Sequence, residues 1–261
     1  MSTTISSLRL LTSDLSASLA RVGKEPSVKR ATDTYLSEIE KVKSIDDFMS
    51  NDKVYNYAMK AFGLEDMAYA KAFIRRVLTE GIDDSGSMAN RLTDTRFRDL
   101  AETFNFARYG STATVFTRTK DGVVDRYLNQ TLEVEAGEAN EGVRLALYFN
   151  RKAATVTNAY SLMGDQALLK VTQVALGLSS STSVLDVERQ KNMIDKKLDV
   201  ADLKDPEKLE KFLTRFAVLW DIENPQMQAS SSPVLNLFNN TSAAAMSVDL
   251  LQQMQNFGKR G

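Results

Sequence analysis

Apolar residues recur every three or four positions along most of this 261-residue chain. Because an α-helix turns once about every 3.6 residues, this spacing gathers them on one face of a helix. The chain has 12 Gly and 4 Pro, fewer than a β-sandwich or a glycine-loop nucleotide-binding fold uses in its turns. The pattern therefore predicts a mainly α protein.

Several predicted helix ends carry residues that satisfy free backbone groups. Ser44 and Asp205 precede helical runs, where their side chains can accept hydrogen bonds from backbone N–H groups. Pro206 suits the first position of a helix, because its missing N–H would have no partner there. Gly63 follows a helical run, at a position where a positive φ ends a helix.

Two segments carry weaker signals. Residues 107–122 lose the helical periodicity, and we interpret them as a connector in which 112–117 is compatible with a short strand. Helix-forming residues return from Val123 to about Lys152. Gly137 and Gly142 weaken this second segment without clearly ending it, so it predicts one long helix.

The chain resembles itself when it is shifted by about 114 residues. The sequence AFGL at 61–64 falls on ALGL at 175–178, and Gly23 falls on Gly137. Identity is low, but helix-ending glycines and helix-starting aspartates coincide as well as apolar positions. The pattern predicts an internal duplication with four segments: an N-terminal amphipathic segment at 1–22, a first helical unit at 23–115, a second at 116–226 and a C-terminal tail at 227–261.

The two ends of the chain are poor in charge, and Asp249 is the only charged residue from Met227 to Gly258. Each end has an apolar row spaced for pairing between helices. We predict that the ends serve export or assembly more than stability, and that their rows bind a partner or each other; ordinary packing on the body is the alternative. The residues concerned are Ile5, Leu8, Leu11, Leu15, Val248, Leu251, Met254 and Phe257.

The chain contains no Cys and no His. Their absence excludes thiol nucleophiles, disulfides, Cys/His zinc sites and histidine-based acid–base catalysis. No phosphate-binding glycine loop or nucleophile elbow is present, so we predict no catalytic residue, no cofactor and no metal site. The net charge of −1 argues against a strongly basic nucleic-acid binder, and no apolar run is long enough to predict a membrane span.

The charged clusters have an ordinary structural interpretation. The acidic pairs lie where helices begin or loops turn, which predicts helix caps: Asp46 with Asp47, Glu65 with Asp66, and Asp83 with Asp84. The basic residues of the first unit are interleaved with acids, which predicts a salt-bridged surface rather than a phosphate-binding patch: Lys71, Arg75, Arg76, Arg91, Arg96 and Arg98.

Several blocks of sequence resemble one bacterial family. They are KAFGLED at 60–66, KAFIRRVL at 71–78, ANRLTDTR at 89–96, RLALYF at 144–149, DLKDPEKL at 202–209 and LTRF at 213–216. The family is a domain of unknown function from alphaproteobacteria, encoded among flagellar genes, and its members are sometimes labelled flagellar basal-body rod proteins. The resemblance spans about residues 30–222. It implies a flagellar role and no known catalytic or ligand-binding residue.

Together these observations predict a non-enzymatic flagellar protein, either a structural component or an assembly factor, with export from the cell left open as an alternative. Its expected partners are other flagellar proteins or a second copy, and its expected location is the flagellum, with a cytoplasmic pool. One alternative is a cytoplasmic chaperone or regulator of flagellar assembly that binds partners through a helical groove. A remote alternative is an enzyme that uses carboxylates and arginines.

Overall fold

The computed structural model describes residues 3–225, about 80% of which are helical, and none of these residues forms a β-strand. The predicted mainly α fold is confirmed. The described residues up to Ile222 belong to one compact unit. The predicted tail at 227–261, with the apolar row from Val248 to Phe257, lies outside the described residues.

Nine α-helices precede residue 110 in the described part of the chain. They are α1 Thr3–Ser13, α2 Leu15–Gly23, α3 Pro26–Ile39, α4 Ile45–Ser50, α5 Asp52–Ala61, α6 Lys71–Glu80, α7 Met88–Arg91, α8 Thr95–Phe104 and α9 Phe106–Tyr109. Six further α-helices follow, and the last of them ends at residue 223. They are α10 Asp121–Ala139, α11 Glu141–Lys152, α12 Ala159–Met163, α13 Gln166–Leu176, α14 Val187–Asp195 and α15 Pro206–Glu223.

Short 3-10 helices fill most of the connections between the α-helices. They are Glu65–Met67, Gly110–Val115, Thr117–Thr119, Ala153–Thr155, Ser180–Val184 and Val200–Lys204.

The predicted helix ends are confirmed by their hydrogen bonds. The Ser44 side chain accepts from the Asp47 N–H at 3.0 Å, and the Asp205 side chain accepts from the Glu207 N–H at 2.9 Å. Gly63 has a φ of 67°, and the N–H of the next residue, Leu64, reaches back to the last turn of α5. These contacts satisfy backbone groups that a helix end leaves free.

Within the predicted connector, the segment 112–117 forms no strand. Residues Gly110–Val115 form a 3-10 helix instead, in which Ala113 and Thr114 are buried. The Thr114 hydroxyl donates to the carbonyl of Val42 at 2.8 Å. A strand needs a second strand for its backbone hydrogen bonds, and the described residues provide none, so this segment closes its hydrogen bonds locally.

The single helix predicted from 123 to 152 is wrong, because the chain breaks at Asn140. This residue has extended backbone angles, and its side-chain oxygen accepts from the Gly142 N–H at 2.8 Å, which starts α11. Gly142 lies against Trp220 of α15, and a Cβ atom built on it would come within 2.4 Å of the indole ring. The second helix therefore begins where α15 packs across its first turn.

Replacing Gly142 with Ala is expected to destabilise the protein by about 1–3 kcal/mol, because the buried indole of Trp220 must move. Urea unfolding followed by circular dichroism measures the change. Gly122→Ala is the matched control, since its Cβ would meet only an ordinary contact at 3.7 Å and alanine favours the helix. Equal stability of the two variants would contradict the close packing at Gly142.

Helix α10 packs against α2, α5 and α11, and it joins the early helices to the later ones. Three tyrosine rings stack along this contact: Tyr35 on Tyr57 with centroids 4.4 Å apart, and Tyr57 on Tyr127 at 3.9 Å. Burial raises the pKa of the Tyr57 phenol well above its usual range, so it stays protonated, with its hydroxyl 2.9 Å from that of Thr32. The stacked rings therefore connect α3, α5 and α10 in the interior of the body.

The order of helices follows the predicted offset of about 114 residues in part. Helices α3 to α6 are matched in order by α11 to α14, and Gly63 and Gly177 each follow a helix with positive φ. Helix α6 packs against α4 as the matching α14 packs against α12, and α6 also packs against α8. The duplication and the four segments stay predictions, which superposition of 23–106 on 137–220 tests.

Candidate functional site

The N-terminal apolar row faces the body. Leu8 is buried, while Leu11 and Leu15 are half-buried against the core, and α1 packs on α11. Val22 at the end of α2 is fully buried as well. Helices α1 and α2 therefore contribute to the stability of the body, whatever else they bind.

One side of α1 borders an open groove of about 810 Å³. The other walls are the end of α11, the short helices Ala153–Thr155 and Val200–Lys204, and the first half of α15. Apolar side chains form most of the lining: Ile5, Leu8, Ala153, Ala154, Leu203, Pro206, Leu209 and Leu213. Of the predicted partner-binding residues, the groove brings together Ile5 and Leu8, but neither Leu11 nor Leu15 lines it.

A buried polar contact holds one end of the groove. The backbone N–H of Thr4 donates to the Asp221 carboxylate at 3.2 Å, and the Thr4 hydroxyl donates to its other oxygen. Asn140 donates in turn to the Thr4 hydroxyl at 2.8 Å. These bonds fix the start of α1 beside the end of α15, so the two helices run in opposite directions along the groove.

Charged side chains stand at the rim. Arg9 and Glu210 approach to 3.9 Å across the opening, but both are mostly exposed, so this pair contributes little to stability. Lys208 donates to Asp202 at 2.5 Å, and this hydrogen bond raises the pKa of the Lys208 ammonium. Lys204 lines the groove without an ion pair among the described residues. The groove therefore has a largely apolar lining and one cation, Lys204, that has no ion pair among the described residues.

The basic residues of the first unit form the salt-bridged surface that the sequence predicts. Lys71 pairs with Asp52 at 2.7 Å, and Arg76 pairs with Glu80 at 2.6 Å. Likewise, Arg75 pairs with Asp46, and Arg96 pairs with Asp94. Arg91 and Arg98 are the exceptions, since neither has an ion pair within residues 3–225.

The acidic pairs behave as predicted at the helix starts. Asp46 and Asp47 lie in the first turn of α4, and Glu65 and Asp66 lie in the first turn of a 3-10 helix. Backbone hydrogen bonds from Lys43 lower the pKa of the Asp47 carboxyl. Within the described part of the chain, no three acidic side chains come together as metal ligands, and no helix is long and apolar enough to cross a membrane.

Sequence reasoning missed the far wall of the groove. The apolar spacing of α15 predicts Leu209 and Leu213 as core residues. Leu213 is buried and Leu209 is half-buried, and both line the same groove as Ile5. A signal was present, because α15 carries apolar residues on more than one face of its 18 residues. Such a helix has more apolar surface than one packing contact covers.

An apolar groove with a polar rim matches what an amphipathic helix binds: apolar side chains enter the groove and polar ones stay at the edge. Among the charged side chains of its lining, Arg9 and Glu210 approach each other to 3.9 Å, and Lys204 has no ion pair among the described residues. The arrangement therefore suits recognition of another polypeptide.

The comparisons with known proteins agree with the fold. A family model described as a protein of unknown function (DUF1217) matches residues 61–209, more than half of the chain. The structure is similar to an X-ray crystal structure of a protein from the alphaproteobacterium Agrobacterium tumefaciens, with a TM-score of 0.81 and 48% sequence identity over 86% of this chain and 95% of that one. A comparison with curated proteins finds no match. The chain therefore belongs to the DUF1217 family.

Proposed function

We propose that this protein is a non-enzymatic component of the bacterial flagellum, with a structural or assembly role, which binds an amphipathic helix of another flagellar protein in the groove beside α1. The groove is the observation that carries this proposal. Its apolar lining combines the half-buried Ile5 and Leu209, which an occupant of the groove could contact, with the buried Leu8 and Leu213 beneath them. Burial of that surface by a partner is favourable at about 25 cal/mol per Å².

The charge at the rim defines the partner further. Lys204 has no carboxylate partner among the described residues, while the nearby Lys208 is already committed to Asp202. A partner helix with an acidic residue beside its apolar row would satisfy Lys204 as it buries Leu209. We therefore expect a mildly acidic amphipathic helix rather than a basic one.

The flagellar assignment is supported by the sequence blocks that resemble the alphaproteobacterial family encoded among flagellar genes. A cytoplasmic chaperone or regulator would bind its partners through the same groove, but it would be found in the cytosol rather than at the flagellum. An enzyme based on carboxylates and arginines remains the remote alternative. Self-association through the predicted C-terminal row, which contains Asp249 next to Val248, is a further candidate for the same partner chemistry.

Polar substitutions in the groove are expected to reduce swimming while leaving the fold intact. Leu209→Ser and Ile5→Ser alter half-buried side chains, so each should lower the thermal transition only slightly. The matched control is Leu10→Ser, which lies on the same helix as Ile5 but is 75% exposed and outside the groove. Swimming zones in soft agar and thermal unfolding of each purified variant are the measurements.

The outcomes separate the candidates. Reduced swimming for both groove variants, with normal swimming for Leu10→Ser, supports the proposal. Normal swimming for all three variants would rule out the groove as the functional surface. If deletion of residues 231–261 reduces swimming as much as the groove variants do, and a peptide of residues 246–259 binds the remaining protein, the occupant is the protein's own tail rather than a partner.

A further inference from the structure

A second cavity, of about 890 Å³, lies between α8, α10 and the segment from the end of α11 to α13. We propose that this cavity binds a small ligand with an oxyanion group, a phosphate or a carboxylate. Three arginines from different elements line it: Arg98 of α8, Arg118 of the 3-10 helix Thr117–Thr119, and Arg126 of α10. The inference is independent of the groove beside α1.

Two of these arginines are held by aromatic rings instead of carboxylates. The Arg118 guanidinium lies over the rings of Tyr109 and Phe116, 4.6 and 4.5 Å from their centroids, and its Nε donates to the carbonyl of Thr103. The Arg126 guanidinium lies 4.9 Å from the ring centroid of Phe62. Stacking on a ring fixes the plane of a guanidinium and leaves N–H groups at its edge free to donate to an oxyanion.

Arg98 contributes a third cation. It has neither a hydrogen bond nor an ion pair within the described chain, and its side chain is exposed in the opening. Arginine is the side chain best suited to phosphate and carboxylate groups, because its N–H donors match two oxygens at once. The three arginines line one cavity and have no ion pair among the described residues, so the N–H groups that they do not use within the protein can donate to an anion.

Two other cations of the cavity, Lys152 and Arg151, form ion pairs with acids. Lys152 pairs with Asp99 at 2.5 Å, and the Arg151 guanidinium binds Glu133 through two hydrogen bonds. Asp165 accepts from the Tyr148 hydroxyl and caps α13. The two ion pairs cancel their own charges, whereas the Tyr148 hydroxyl is neutral and leaves the charge of Asp165 in place.

Three acids oppose the arginines. Glu102, Asp125 and Asp165 line the cavity, and none of them has an ion pair among the described residues. They equal the three arginines in number, so anion binding depends on direct hydrogen bonds from the guanidinium groups rather than on an excess of positive charge. Their presence also provides a test, because removal of one of them should tighten binding.

Calorimetric titration of the full-length protein with inorganic phosphate and, separately, with citrate tests the proposal. We expect saturable binding of at least one anion, which weakens as NaCl is raised because the contacts are ionic. Arg98→Gln and Arg126→Gln should each weaken binding about tenfold or more, since each removes a charge-assisted hydrogen bond. Glu102→Gln should tighten it. The anion that binds more tightly identifies the ligand group as phosphate or carboxylate.

The matched control is Arg91→Gln, which removes an exposed arginine without an ion pair that lies outside the cavity. It should bind as the wild type does. The proposal is overturned if neither anion binds, or if Arg91→Gln weakens binding as much as Arg98→Gln. Leu209→Ser should retain anion binding. A failure of the groove proposal can therefore be told apart from a failure of the cavity proposal. Thermal unfolding of each variant confirms that the fold persists.

Discussion

Replacing Phe104 with Ala is expected to lower the free energy of unfolding by about 3–5 kcal/mol. The Phe104 ring is fully buried at the end of α8. It packs against Phe48, with centroids 4.8 Å apart, and against Phe62 and Phe106. These four rings come from different parts of the chain. Movement of one side chain therefore cannot fill a cavity left at Phe104, and most of the packing energy of the ring is lost.

Urea unfolding compares Phe104→Ala with Phe73→Ala. Phe73 is half-buried and contacts Phe97 edge to face, so its loss should cost less. The apolar spacing predicts six core residues: Phe62, Phe73, Phe104, Leu176, Phe212 and Phe216. Burial is confirmed for four of them, while Phe73 and Phe212 are half-buried. Loss of swimming by Phe104→Ala at an unchanged melting temperature would contradict a purely structural role.

Replacing Glu133 with Ala is expected to destabilise the protein by about 3–5 kcal/mol, because it leaves Arg151 without its partner in the interior. Glu133 is 3% exposed, and its two oxygens accept from Arg151 at 2.7 and 2.9 Å. Burial raises the pKa of the Glu133 carboxyl, although the charge of Arg151 acts in the opposite direction. The pair links α10 to α11 on either side of the break at Asn140.

The double variant Glu133→Leu with Arg151→Met shows whether the loss of stability comes from removing the ion pair or from leaving one charge buried without a partner. It should recover most of the loss, because it removes both charges and keeps apolar volume. Lys29→Ala is the surface control: Lys29 and Asp33 form an exposed pair, and the change should stay within about 1 kcal/mol. The interpretation fails if Glu133→Ala is no less stable than this control.

Local signals in the sequence predict the helix ends but not every boundary. Ser44 and Asp205 cap their helices through atoms two or three residues away, so the sequence alone identifies them. The break at Asn140 is capped by its own side chain, but the close contact of Gly142 with Trp220 of α15 joins residues far apart in the sequence. No periodicity within 123–152 could reveal a contact at that distance.

The two cavities differ in how far the sequence predicts them. The row led by Ile5 and Leu8 indicates one wall of the groove, because its spacing is local to α1. Arg98, Arg118 and Arg126 belong to three elements, and only the packing of α10 against the early helices brings them to one cavity. In sequence they look like any charged residues on helix surfaces.

The location of the protein in the cell tests the central claim most directly. Antibody against the full chain would quantify it in sheared filaments, purified basal bodies and cytosol, for the wild type and for Leu209→Ser and Leu10→Ser. We predict enrichment with a flagellar fraction for the wild type and Leu10→Ser, and a shift to the cytosol for Leu209→Ser. A wild-type protein confined to the cytosol, in cells that swim equally well without it, would contradict a flagellar role.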